Sequence, residues 1–170
     1  MRTCVCDFAR PDVGKTPGCS LCAVTEKQPP DEVAYLLKDI DPKKPNRWLA
    51  LPRQHFDGPY PLVRMTREER TALWTLAIQK GAETWGGQWA IAVNSDYRRM
   101  QCHMHAHIDL MRPGLEMPGG VFVDGPEDIP VHPDGMGIWF HPVGKRLHVH
   151  YGGEAPELEI FVTGATVPRQ

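Results

Sequence analysis

The sequence has no apolar run near the roughly 18 residues of a membrane-spanning helix, no block of like charge and no low-complexity tract. Its first residues, Met1-Arg2-Thr3-Cys4-Val5-Cys6-Asp7, lack the apolar core of a secretory signal. The expectation is a soluble, cytoplasmic chain without a membrane span. Nineteen Lys and Arg against 21 Asp and Glu leave a formal net charge of −2 over 170 residues. A general nucleic-acid coat normally shows a basic excess, so that class is set aside. Cysteine is sparse and odd in number, at five. Without a signal peptide this argues against a disulfide framework and favours metal binding by any clustered pair. No internal repeat and no domain break is visible.

Turns and histidines are what the chain does have. Sixteen glycines and 17 prolines are dispersed through it, which reads as short elements joined by rigid turns. Residues 1–32 look like an arm or knuckle. The runs Val33–Asp39 and Arg47–Pro52, separated by Pro-Lys-Lys-Pro-Asn, predict a β-hairpin. Thr66-Arg67-Glu68-Glu69 is a capping box: the hydroxyl and the carboxylate satisfy each other's orphan backbone N–H groups. A helix is predicted from there to about Thr84, with Leu73, Leu76 and Ala77 on one face and Gly86-Gly87 as its stop. Further strands are predicted at Trp89–Asn94, Cys102–Leu110, Gly120–Val123, Ile138–Phe140, Leu147–Tyr151 and Leu158–Val162. The fold class is α+β, a mostly antiparallel sheet with one main helix across it. Trp74, Trp85, Trp89 and Trp139 are read as core; Trp48 is open.

Three of eight histidines fall in Cys102-His103-Met104-His105-Ala106-His107-Ile108. Along a strand, i, i+2 and i+4 share a face, so three imidazoles line one surface and Met104, Ala106 and Ile108 the other. One ring could serve as a phosphoryl-accepting nucleophile beside a second that orients or protonates, or the row could bind metal. A single ion is a stretch for the outer pair, about 13 Å apart at Cα by the strand rise. A second signal is Cys19-Ser20-Leu21-Cys22, a C-x₂-C knuckle that offers two thiolates to Zn²⁺; two buried reduced cysteines are its plain alternative. His55 offers a third ligand and His103 a fourth.

Together, the His-x-His-x-His strand after a helix and the earlier strand ending in Leu51-Pro52 before His55 resemble the histidine-triad (HIT) superfamily. The set Cys19, Cys22, His55 and His103 is similar to the structural zinc site of its zinc-containing members and of galactose-1-phosphate uridylyltransferases. The resemblance covers about residues 19–113. It implies a HIT core at 33–113 in a single domain 1–170, with a zinc-knuckle arm (1–32) and a β-rich extension (114–170). A narrower similarity, carried by Val93-Asn94-Ser95, Arg99, Gln101, His105, Ile108 and Arg112-Pro113, is to bacterial CDP-diacylglycerol pyrophosphatases. The chain departs from them in His103, where Gln is expected, in its C-x₂-C, and in lacking their membrane anchor.

The resemblance implies that His105 is the nucleophile, forming a covalent phosphohistidine, and that His107 binds phosphate and orients the site. Arg99, Gln101 and Arg112, with Asn94 and Ser95 behind them, are the candidates for stabilising phosphoryl oxygens. It further implies a structural zinc, a phosphate-containing substrate such as a nucleotide, and homodimers of the kind common in the superfamily. The expected activity is hydrolysis or nucleotidyl transfer at a phosphoanhydride or phosphoester. The alternatives are a CDP-diacylglycerol-like pyrophosphatase, a cupin-like metal enzyme using His103, His105 and His148 or His150, and a zinc-stapled nucleotide-binding module without turnover. The pair His148-Val149-His150 is otherwise read as a partly exposed strand face, His132 and His141 as turn residues, and Val13-Gly14-Lys15-Thr16 as too incomplete for a P-loop.

Overall fold

The computed structural model describes residues 6–56 and 60–162. Cys4 lies outside them. Seven strands, β1 (Ala34–Lys38), β2 (Trp48–Pro52), β3 (Trp89–Val93), β4 (Ala106–Leu110), β5 (Val121–Val123), β6 (Ile138–Val143) and β7 (Arg146–Tyr151), make one sheet. Its order is β1-β2-β4-β3-β6-β7-β5, and every pairing is antiparallel. The helices are α1 (Ser20–Thr25), α2 (Pro61–Arg64), α3 (Arg67–Trp85) and α4 (Pro156–Ile160).

The α+β class and the hairpin of β1 and β2 agree with the sequence. The C-terminal strands are not a separate layer, because β6 pairs with β3 and extends the sheet that carries the histidines.

α3 starts at the capping box: the Glu69 N–H donates to the Thr66 hydroxyl, and the Thr66 N–H to the Glu69 carboxylate. It ends at Gly86, whose φ of 61° closes the last turn onto the Ala82 carbonyl. Its buried ridge is Leu73, Ala77, Gly81 and Trp85, each one helical turn on, with Trp74 beside it. Leu76 is only half-buried. This ridge packs on one sheet face with Ala50, Ile91, Met104, Ala106, Ile108, Phe140 and Val149. Trp74 meets Phe140 edge to face at 5.4 Å, a geometry worth about 0.5–1.5 kcal/mol beyond area burial. Trp74, Trp85, Trp89 and Trp139 are all buried, and Trp48 lies under Lys80 and Lys38, at 4.2 and 5.1 Å from its centroid.

A row in register crosses the sheet: Leu49, His107, Ala92, Trp139 and His150. Its face is the one away from α3. A smaller cluster covers its middle: Ala90, Ala92 and Trp139 with Ile160 and Phe161 of the α4 region. Residues 156–160 form this helix instead of the strand predicted for 158–162. Pro156 occupies the first turn with Glu157 and Glu159, a helix-start pattern that outweighs the alternation of Leu158, Ile160 and Val162. The chain then makes one β-bridge, Phe161 to Met111. No helix among the described residues is long and apolar enough to cross a membrane.

Candidate active site

The triad strand is shorter than predicted. β4 begins at Ala106; His103 lies in a bend and His105 in the irregular segment just before it. The alternation nevertheless holds, since Met104, Ala106 and Ile108 enter the main core while the three histidines sit opposite. All three are buried.

His105 is fixed by its own backbone. Its Nδ1 lies 3.0 Å from the His103 carbonyl. A carbonyl only accepts, so the proton is on Nδ1 and the Nε2 lone pair is left available. His107 stands edge-on to it, with ring centroids 4.8 Å apart. Neither ring nitrogen of His107 has a hydrogen-bond partner, although Nδ1 is 3.4 Å from Glu157 Oε2. Burial lowers the pKa of both rings; the His103 carbonyl opposes this at His105, and His105 itself lowers His107 further. Both are therefore neutral near pH 7.

They line a cavity of about 400 Å³, with Lys44, Asn94, Arg99, Gln101 and Glu157 among its polar walls. Its apolar lining includes Leu21, Leu37, Leu49, Ile40 and Met100, the last two exposed at 95% and 73%.

Of the predicted phosphate-binding residues, Asn94, Arg99 and Gln101 reach this cavity. Arg99 is also paired with Asp96 at 3.3 Å. The Gln101 side-chain Oε1 accepts from the Ser20 hydroxyl at 3.0 Å and the Leu21 N–H at 3.4 Å, so it docks α1. Arg112 does not join the site. Its guanidinium donates to the carbonyls of Phe161 and Leu158 and holds the end of α4. Ser95 is buried but does not line the cavity.

Glu157 was not anticipated. It accepts from Asn94 Nδ2 at 2.8 Å and from Arg47, and Lys44 Nζ lies 3.6 Å away. Arg47, fully buried, also donates to Asp109 at 3.0 Å. A chain Asp109–Arg47–Glu157 thus runs beneath His107. Burial raises the Asp109 pKa while the Leu110 N–H and Arg47 oppose it.

The predicted zinc set needs one correction. Cys19 is joined to Cys6 in a disulfide, so its sulfur is not a free thiolate, and one bridge is present where the odd cysteine count argued against a disulfide framework. Cys6 and Cys19 lie outside any standard spacing, and the arm brings them together by folding over the strand ends: the Cys102 N–H donates to the Gly18 carbonyl at 2.7 Å. The remaining three predicted ligands do converge. Cys22, His55 and His103 each offer a ligand atom within 4.8 Å of the others. His103 Nε2 faces the Pro52 carbonyl at 2.7 Å, and His55 Nε2 faces a Glu26 oxygen at 2.8 Å. Both outer nitrogens thus carry protons, and the two Nδ1 atoms confront each other at 3.1 Å. Two facing acceptors suit a cation between them; ligands of a tetrahedral Zn²⁺ stand about 3.3 Å apart. Cys6 Sγ is 3.6 Å from Cys22 Sγ, so reducing the disulfide supplies a fourth donor. Burial pushes His103 down to about 3, against the Pro52 carbonyl. These residues fit zinc.

His103 therefore turns away from His105 and His107, towards His55. His148 and His150 lie on β7, separated from β4 by β3 and β6. They cannot share an ion with His105, which removes the cupin-like set. They are buried, not partly exposed, and His141 lies in β6 rather than a turn. No protein-family model matches the sequence, and no curated protein matches it.

Proposed function

We propose that the chain is a phosphoanhydride or phosphoester hydrolase or nucleotidyl transferase of the histidine-triad type, acting through a covalent phosphohistidine on His105. The observation that carries this reading is the His103 carbonyl on His105 Nδ1, which directs the ring's one lone pair to Nε2 beside a cavity walled by Arg99, Lys44, Asn94 and His107.

Attack by Nε2 on phosphorus forms a P–N bond and breaks the P–O bond to the leaving group, which departs with the electron pair. The ring becomes cationic, and the carbonyl on Nδ1 stabilises that charge as it develops. Water or another acceptor hydroxyl then attacks phosphorus, loses its proton and returns the P–N pair to Nε2. The N–H of neutral His107, unpartnered in the structure, is suited to donate to a phosphoryl oxygen, and Arg99 and Lys44 offset its charge. Glu157 would repel a phosphate if it were alone; Arg47 and Lys44 offset its charge, and the Asn94 amide donates to it and helps hold it beside His107.

Bound zinc would be structural, held by Cys22, His55, His103 and a thiolate of the reduced Cys6–Cys19 pair. It would fix the residue whose carbonyl orients His105. The exposed apolar rim of Ile40 and Met100 favours a substrate with an apolar or planar group next to its phosphate, such as a nucleoside or a lipid-linked CDP.

Phosphorus NMR of an adenosine phosphoramidate, a dinucleoside polyphosphate, CDP-choline and CDP-diacylglycerol tests this. Turnover of one of them is expected in wild type, with a loss of at least about 10³-fold in His105→Ala and an unchanged circular-dichroism spectrum. Equal turnover by wild type and His105→Ala would overturn the assignment of the nucleophile. Binding of these ligands with no turnover by wild type would favour the non-catalytic module.

A further inference from the structure

The turn that follows β3 carries two arginines into the cavity wall, Arg98 and Arg99, and the fold treats them differently. Arg98 is 57% exposed and meets a similarly exposed Glu154 at 3.6 Å, a surface pair of little worth. Arg99 is 13% exposed, and its Nη2 lies 3.3 Å from Oδ1 of Asp96, itself 6% exposed. Charges buried this deeply serve each other, because either one alone would be uncompensated. Ser95, buried but outside the cavity, builds the turn: its carbonyl accepts the N–H groups of Arg98 and Arg99 at 3.0 and 2.9 Å.

Asp96 is fixed from outside that turn. Its N–H donates to the Gly135 carbonyl at 3.0 Å, and its Oδ2 accepts the Tyr60 N–H at 2.5 Å. Tyr60 stands at φ 58° and ψ 56°, the one non-glycine residue with positive φ among the described residues. Neither its bulky side chain nor the following Pro61 favours that conformation. Its surroundings impose it: the charge-assisted bond from its N–H to Asp96, and Gly135 against its ring, where any Cβ would run into the ring. Strain of this kind persists only where neighbours over-determine it, and active sites are where it gathers.

The carboxylate thereby divides its two oxygens. Oδ2 is taken by the Tyr60 N–H, so Asp96 engages the guanidinium through Oδ1 instead of gripping it with both. A guanidinium carries five N–H donors in a planar fork. The remaining donors are left for the cavity that Arg99 lines, in the geometry that takes two oxygens of one phosphoryl group.

We propose that Asp96 is a positioning residue for phosphoryl recognition: clamped by the Tyr60 N–H, it holds Arg99 at the cavity wall with the guanidinium turned to the phosphoryl oxygens of the substrate. This role rests on the cavity taking a phosphoryl group, as the phosphohistidine reading holds. A fixed fork reads two free oxygens on one phosphorus, so Lys is no substitute at position 99.

The test is a double-mutant cycle in the full-length chain with two readouts: kcat on the phosphate compound that wild type turns over, and affinity for inorganic phosphate by phosphorus NMR titration. Asp96→Asn keeps an oxygen for the Tyr60 N–H, and circular dichroism checks that the chain stays folded. Its kcat is expected to fall at least about tenfold, with a smaller change in KM. Arg99→Ala lowers kcat about 10²-fold, and adding Asp96→Asn to it lowers kcat no further, because the whole effect of Asp96 passes through the guanidinium. Phosphate affinity follows the same pattern: Asp96→Asn weakens binding in the presence of Arg99 and leaves it unchanged in Arg99→Ala. Loss of a negative charge alone would tighten binding instead. Tighter or undiminished phosphate binding by Asp96→Asn overturns the proposal, as does an equal loss in both backgrounds, which marks a merely structural aspartate. If wild type turns over none of the compounds, the phosphohistidine reading fails, and the phosphate cycle still decides the role of Asp96 by these outcomes.

Discussion

Arg47 is 1% exposed, and two carboxylates share its guanidinium, Asp109 of β4 and Glu157 of α4. Phe161 also lies under it, 4.8 Å from the ring centroid. Removing the cation leaves two acids in a low-dielectric position. Arg47→Met is expected to cost about 3–5 kcal/mol, read as a fall in the urea midpoint, and to lower turnover by releasing Glu157 from His107. An unaltered midpoint would show that the pair adds nothing to the fold. The residues that could be recognised in the sequence were those whose spacing repeats locally: His103, His105 and His107 in alternation, and Cys22 with its neighbour Cys19. Glu157 could not be found so, because it meets His107 through a helix 50 residues downstream and no local period encodes that contact. Cys6 was likewise hidden, since its partner is chosen by how the arm folds back over β4. Arg112 shows the converse error: an arginine near the triad in sequence is spent on the carbonyls of α4.

At the scale of elements, α3 was the most legible feature because its signals are local and agree with one another: the capping box, the i+4 ridge and the glycine stop. Its one internal glycine is nevertheless a packing device. A Cβ on Gly81 would stand 2.8 Å from the Trp89 ring, so the helix lies against β3 through backbone there. Ala normally stabilises a helix interior by about 0.5–1 kcal/mol over Gly. Here Gly81→Ala is expected to destabilise by about 1–3 kcal/mol, because Trp89 must move in a filled core; thermal unfolding gives the sign directly. The arm forms an element of its own through α1, which Leu21 and Val24 dock against Tyr35, Leu37, Leu49 and Leu51. Its six residues are too short for periodicity to announce them. Reduction of Cys6–Cys19 is expected to tighten zinc binding at Cys22, His55 and His103 by adding a fourth donor, measured as stronger thiolate-to-cobalt absorption with reductant than without.

Over the whole molecule, six imidazoles are buried among the described residues: His103, His105, His107, His141, His148 and His150. His103, His105 and His107 all have pKa values lowered by burial, His103 to about 3. The unfolded chain takes up protons below about pH 6.5 while the folded chain does not. Stability is therefore present above about pH 6.5 and is lost as pH falls towards the folded values, with a slope of at most about 1.4 kcal/mol per pH unit for a ring. With chelator present, the urea midpoint should drop steeply between about pH 7 and pH 5; a flat profile would mean that the rings are solvated.

The row through His107, Ala92, Trp139 and His150 also makes the sheet a ruler. Three strand spacings separate its histidines, about 14 Å by the inter-strand distance, and hydrogen-bonded backbone fixes the interval. A paramagnetic probe fixed at the His150 end would broaden the phosphorus resonance of a group bound at the His107 end more strongly the shorter that interval, on a scale set by the probe's spin and correlation time. The fold thus carries its own internal calibration, against which the position of any phosphorylated ligand could be measured in solution.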